Sequence, residues 1–254
     1  MKRILKTLLA SALLSAGLAQ AGPVLSTSYA GIAGTTLNFD NVVAGADGLI
    51  NGLLTSGGVS FGERFAGQVL SMAKAPRPGE VAQDWFDDLS TGAPTAGLSL
   101  LAGASGHNLG VYDYGDSRGQ ALAGVGPSMA DGADPFGFGA LSARFAIGQS
   151  SLGFYLRDGD GGAATLNLYR TDGSLIQSLA LGPVADGYYA FARDGGVADI
   201  AGFSLYNRDS YYGISIDELR FASGAAAAQS VPEPGTAALL ALGLMGALRS
   251  RRKR

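Results

Sequence analysis

Between Thr35 and Phe221 the chain never sustains a 3.6-residue apolar repeat. It advances in short alternating runs, cut every 8 to 12 residues by Gly, Asp or Asn. A helix needs one apolar stripe along its length, so this pattern leaves strands to bury the apolar side chains. In the first half the expected strands are Thr35–Asp40, Gly57–Phe61, Leu98–Gly103 and Asn108–Tyr114. The second half is clearer, with Ala140–Ile147, Ser151–Arg157, Ala164–Arg170, Ser174–Leu181, Gly187–Arg193, Ile200–Tyr206 and Gly213–Phe221. Thr171-Asp172-Gly173 between two of them reads as a hairpin turn, because Asp-Gly supplies the positive φ that a tight turn requires. Ten or more short strands at this spacing predict an all-β body, an antiparallel β-sandwich of jelly-roll-like form.

Composition narrows the function classes. Glycine fills 40 of 254 positions without a Gly-X-Y period, which excludes a collagen helix and predicts many tight turns. There is no cysteine, hence no disulfide, no thiolate nucleophile and no Cys-ligated zinc. The formal net charge of −3 conceals basic ends around an acidic middle: between Gly22 and Gln229 there are 10 basic and 20 acidic residues, or 10 − 20 = −10. An acidic body without a basic stripe argues against nucleic acid or an anionic lipid surface as its ligand.

The two ends differ from the body. Lys2, Arg3 and Lys6 precede an apolar stretch from Leu8 to Leu18, then Ala19-Gln20-Ala21, the order of a secretory signal with cleavage before Gly22. At the other end the apolar run from Gly235 to Leu248 is 14 residues long. Its helix would span ~21 Å against a hydrocarbon core of ~30 Å. Arg249, Arg251, Arg252, Lys253 and Arg254 follow as a stop-transfer block that holds this end in the cytoplasm. Ahead of the run, Val231-Pro232-Glu233-Pro234 is kept extended by its two prolines. The expected organisation is a signal peptide over 1–21, an ectodomain over 22–221, a small-residue linker over 222–229 and a sorting segment over 230–254. A signal helix and a hydrophobic helix would flank the sandwich.

The Val-Pro-Glu-Pro motif, the short apolar helix and the terminal Arg cluster together resemble the PEP-CTERM sorting signal of exopolysaccharide-associated Gram-negative bacteria. That resemblance implies an exosortase, a membrane transpeptidase-like enzyme, as partner, with Val231, Pro232, Glu233 and Pro234 as the recognition site. It also implies a membrane-tethered intermediate, cleavage near the motif, and a final place at the cell surface or outside the cell. The body is similar to a recurring PEP-CTERM ectodomain through "FDNV", "LLTSGGVSFGERFAGQ", "RDGGVADIAGFSLYN" and "GISIDELRF". This implies a β-sandwich and no particular activity.

Candidate chemistry in the body is sparse. His107 is the only histidine and stands outside any nucleophile or zinc motif, so a turn role is set against a catalytic one. "RDGDGG" (Arg157 to Gly162) places Asp158 and Asp160 two apart, but Ala163 and Tyr169 stand where an EF-hand needs Gly and Glu, which favours a turn. Met72 to Pro94 reads as a long loop, and its Trp85 either stacks on a sugar ring or plugs a sandwich edge. In the last strand Ile214 and Ile216 are out of phase with Leu219 and Phe221, which turns a carboxylate of Asp217-Glu218 inward or onto the rim. The body also resembles carbohydrate-binding jelly rolls, which hold a structural calcium between first and last strands. That resemblance implies a calcium site of Asp40, Asn41, Asp217 and Glu218, against both pairs being solvated strand ends. The expected function is an exported, non-enzymatic surface or matrix protein with a structural, adhesive or exopolysaccharide-binding role, and the contrasting one a secreted polysaccharide hydrolase.

Overall fold

The computed structural model describes residues 22–71, 88–126, 136–159, 163–207 and 213–224. Both expected flanking helices, Trp85, the Val231–Pro234 motif and the terminal basic cluster lie outside these residues. Regular structure among the described residues is strand, joined by turns and three single-turn 3₁₀ segments.

The larger sheet, in spatial order, is β1 (Val24–Ser26), β17 (Gly187–Arg193), β14 (Ser151–Arg157), β19 (Ser215–Ala222), β11 (Gln120–Val125), β10 (Leu109–Asp113) and β3 (Leu49–Ile50). To it are added β12 (Phe136–Gly139) beside β11 and β2 (Thr35–Leu37) beside β19. The second sheet runs β16 (Leu175–Leu181), β15 (Ala164–Tyr169), β18 (Ile200–Asn207), β13 (Leu141–Gln149), β5 (Val59–Gly62) and β4 (Leu54–Ser56). Two separate two-stranded ribbons accompany these sheets, β6 (Arg64–Phe65) with β9 (Leu100–Leu101) and β7 (Val69–Ser71) with β8 (Asp88–Thr91). Every pairing is antiparallel.

Alternation sorts the side chains. Leu152, Phe154 and Leu156 of β14 and Ile216 and Leu219 of β19 are fully buried against Phe61, Leu166, Leu168 and Phe203 of the second sheet. Phe39 meets Phe61 edge-on at 5.7 Å, and Phe145 meets Phe221 across the sheets at 5.1 Å. Each such side chain contributes about 1.5–3 kcal/mol when taken out of water.

The long loop expected from Met72 to Pro94 contains a strand, since Asp88–Thr91 pairs with Val69–Ser71. The Thr171–Gly173 turn forms, but with only its glycine at positive φ (84°), and Arg170 exchanges backbone bonds with Gly173 and Ser174 at 2.9 Å. The turn is a three-residue hairpin loop closed by Arg170 and Ser174, and beyond it pairing shifts from Tyr169↔Leu175 to Leu168↔Gln177, leaving Ile176 as a bulge.

Candidate functional site at the seam of the last strand

The final strand is central in its sheet. β14 lies along one side of β19, while on the other side β11 pairs at Ile216 and β2 takes over at Leu219–Phe221. Near this change of neighbour the strand bulges: Tyr155 faces Asp217 and Gly153 faces Arg220, so Glu218 and Leu219 together oppose Phe154. Glu218 takes φ +48, a left-handed conformation costing an L residue about 1–2 kcal/mol. The bulge is the physical form of the phase switch between Ile216 and Leu219.

A bulge strands backbone groups, and here two side chains take them. Asp217 Oδ1 accepts the Glu218 N–H at 2.6 Å, and the Tyr29 hydroxyl donates to the Glu218 carbonyl at 2.6 Å. Asp217 has no exposed surface, and its Oδ2 has no hydrogen-bond partner among the described residues. Burial, reinforced by the charges of Glu218 and Asp40, pushes its pKa up to about 6 despite the Glu218 N–H bond and the field of Arg157.

Asp40 lies within electrostatic reach of Asp217 across the seam. Its Oδ1 accepts the Gln120 N–H at 3.0 Å, tying the chain just after β2 to the start of β11. Gln120 Oε1 is a second buried acceptor without a hydrogen-bond partner among the described residues. Asn41 follows in an exposed turn. The Glu218 carboxylate is engaged elsewhere, accepting the Tyr188 O–H at 2.8 Å with Arg118 Nη1 3.9 Å away. Thus the charges of Glu218 and Asp40 both bear on Asp217, while the Glu218 carboxylate itself is bonded to Tyr188 and faces Arg118. Among the described residues no group of three or more His, Cys, Asp or Glu is arranged to hold a metal ion.

Beside the bulge a row of rings and guanidiniums crosses the sheet. Arg220 covers Tyr29 at 4.3 Å, Tyr29 stacks on Tyr188 at 4.2 Å, Tyr188 meets Tyr155 edge-on at 5.0 Å, and Arg118 covers Tyr155 at 3.9 Å. Tyr188 remains 48 % exposed. On the same face the buried Arg157 lies 4.1 Å over Tyr114 and bonds Asp116 and the Gly119 carbonyl, fixing the loop before β11. The Arg157 bond holds the exposed Asp116 carboxyl below its ordinary pKa. Burial pushes the Tyr114 hydroxyl up to about 12, although it shares a hydrogen bond with Ser215.

Sequence reasoning reached Asp40, Asp217 and Glu218 but not Tyr29, Arg118, Tyr155, Tyr188 or Arg220. Tyr29 and Glu218 are 189 residues apart, and no local pattern announces such a pairing. A carboxyl with a raised pKa is a candidate proton donor, but Asp217 offers a substrate no exposed atom. His107 serves its turn, donating from Nδ1 to the Gly126 carbonyl at 2.9 Å in a loop closed by an Ala104–His107 bridge. Asp158 is exposed at the end of β14 with φ +64, and Asp160 lies outside the described residues.

Residues 230–253 match the PEP-CTERM protein-sorting motif. No curated protein matches the chain. Among solved structures it is similar to a mutant of the family 29 carbohydrate-binding module CBM29-2, at 14 % identity and a TM-score of 0.28, over 52 % of this chain and 93 % of that one. It is also similar to the CBM22-1–CBM22-2 tandem domain of Paenibacillus barcinonensis Xyn10C, at 14 % identity and a TM-score of 0.31, over 87 % of this chain and 50 % of that one. Likenesses at these scores do not bear on ligand or activity.

Proposed function

We propose that this chain, exported and carrying a PEP-CTERM sorting motif, is a non-enzymatic surface or extracellular-matrix protein of a Gram-negative cell, with a structural or adhesive role that includes binding exopolysaccharide. The motif at residues 230–253 carries the reading. In it, Val231–Pro234 is the motif an exosortase grips, the short apolar run holds the chain in the membrane for a time, and the terminal cations stop it from passing through. Processing releases the sandwich to the surface or the matrix. Mass spectrometry of the protein from cell, membrane and medium fractions tests this. Loss of the tail from the mature form is expected, and a C-terminus ending at Arg254 in every fraction would overturn the reading.

The Tyr29–Tyr188–Tyr155 row supports the polysaccharide part. Tyr29 is stacked on Tyr188 and capped by Arg220, and Tyr155 is capped by Arg118, so a glycan would meet the exposed part of Tyr188 and the donors of Arg118 and Arg220. Affinity electrophoresis through gels containing the host's exopolysaccharide should show retardation that is lost in Tyr188→Ala. A hydrolase would need two carboxylates about 5–9 Å apart flanking an accessible bond, and the burial of Asp217 disfavours that role at the seam.

A structural calcium ion belongs to the same proposal, now centred on Asp40 and Asp217. The buried Oδ2 of Asp217 and Oε1 of Gln120 are hard oxygen donors of the kind calcium takes. Asn41 is at hand beside Asp40, whereas Glu218 would have to leave Tyr188 to join.

A further inference from the structure

β19 leaves the sandwich at a defined place and in a defined direction. The Ser150 backbone N–H donates to the Ala222 carbonyl at 2.7 Å, and the Ser150 hydroxyl is bonded to the Gly224 carbonyl, so the exit is held to Gly224. Seven residues further on comes Val231. Even fully extended, that stretch reaches at most about 25 Å. An enzyme large enough to enclose Val231–Pro234 in a cleft must therefore stand against the end of the sandwich from which the chain emerges.

A cavity of about 320 Å³ opens at that end between the two sheets, with Phe221 among its walls, Thr35 and Ala222 on one side, and Gly57, Gly58 and Ile147 on the other. Although the body between Gly22 and Gln229 carries a net charge of −10, none of the residues lining this cavity is charged. Ile147 is 64 % exposed at its rim. The β4–β5 hairpin beside it turns on Gly57 and Gly58, at φ +57 and +82, and so presents bare backbone to an approaching surface. The lining contains no Lys, Arg, Trp or Tyr, the residues that anchor a surface to lipid headgroups. The chemistry favours an apolar protein surface over a bilayer.

We propose that this uncharged lip is the docking surface for the membrane-embedded processing enzyme that grips Val231–Pro234, an inference that rests on the sorting function proposed above. The body then takes part in its own processing by seating the enzyme at the base of the tether.

Pulse–chase conversion of the full chain to its processed form, in the cells that produce it, tests the proposal. Ile147→Asp, and separately the milder Ala146→Glu at an exposed neighbouring position, should slow conversion about tenfold, the effect of losing one apolar anchor at an interface. The melting temperature of the accumulated precursor should stay unchanged. Inserting twenty Gly/Ser residues after Gly224 frees the motif from the lip, so the wild type and both variants should then convert at one common rate. Conversion of both variants at the wild-type rate without the insertion overturns the proposal, as does slow conversion that persists with it. A wild-type dimer lost in Ile147→Asp would assign the lip to a second copy instead, and flotation of the body on neutral lipid vesicles would assign it to the bilayer. Failure of the sorting reading looks different: the wild type itself would not convert, or Glu233→Ala would convert unchanged.

Discussion

Replacing Asp217 by asparagine removes a buried charge while keeping the side chain's shape. The carboxyl is displaced from its ordinary value of 3.8 to about 6. At about 1.36 kcal/mol per pKa unit, the ionised form costs the folded state ~3 kcal/mol. Between about pH 4 and pH 6 the folded state holds this proton and the unfolded state has lost it, so stability falls as pH rises through that window. Above pH 6 the full cost stands, and below pH 4 it vanishes. Asparagine never incurs it, and its Oδ1 can still accept the Glu218 N–H. Set against this is about 1–3 kcal/mol for burying an amide whose donors find imperfect partners. A net gain of about 0–2 kcal/mol at pH 7 is expected, or up to roughly 8 °C in melting temperature for a body of this size. The assay is thermal and urea unfolding of residues 22–229 in EDTA, from pH 4 to pH 7.5, for wild type and Asp217→Asn. The variant's profile should be flatter across pH 4–6 by up to one proton. An Asp217→Asn body less stable than wild type at pH 7, with the wild-type pH slope intact, would refute the account of a desolvated charge.

Calcium should reverse the order. At about 100 times its dissociation constant the ion should stabilise the wild type by ~2.7 kcal/mol and leave Asp217→Asn and Asp40→Asn unchanged; no calcium shift in wild-type melting removes the site. At the bulge, Glu218→Gly should be neutral to stabilising within about 1 kcal/mol, because relief of the positive φ offsets the lost Tyr188 bond. Glu218→Val should destabilise by ~1–2 kcal/mol in urea, and equal effects of the two would mean that the bulge is absent. Phe61→Ala, which empties a fully buried site against Phe39, should cost about 3–5 kcal/mol, and a loss below 1 kcal/mol would contradict the core described.

Where one face of a strand is wet, its alternation is plain in the sequence: β16 is an edge strand and was legible at full length. β11 was not, since after Gln120 the run Ala121–Val125 is small and apolar and buried on both faces, with Phe136 and Phe138 of β12 alongside. Its glycine permits that covering, because a Cβ at Gly124 would stand 2.4 Å from the Gly139 carbonyl oxygen. β8 escaped notice inside a segment that read as loop from its prolines. At the seam the phase break marked Asp217 and Glu218, because a slip of period 2 is a local event. What surrounds them was invisible, because Tyr29, Arg118 and Tyr188 arrive through the register of distant strands. Nor could Glu218 be assigned to Tyr188 rather than to a cation, since that choice depends on which way the bulge turns.

The last strand of the body sits in the middle of its sheet, with β14 on one flank and β11 and β2 on the other. For a chain exported from its front end, the sheet stays split until its final strand clears the channel. On the proposed reading, Ala222 would reach the far side only as the residues just behind it, the expected linker and the sorting segment, enter the membrane. Closing the sheet and arriving at the proposed processing step would then be nearly one event. The order of secretion would act as a clock, so that a sandwich still lacking its central strand would not yet have presented the sequence that lets it be cut free.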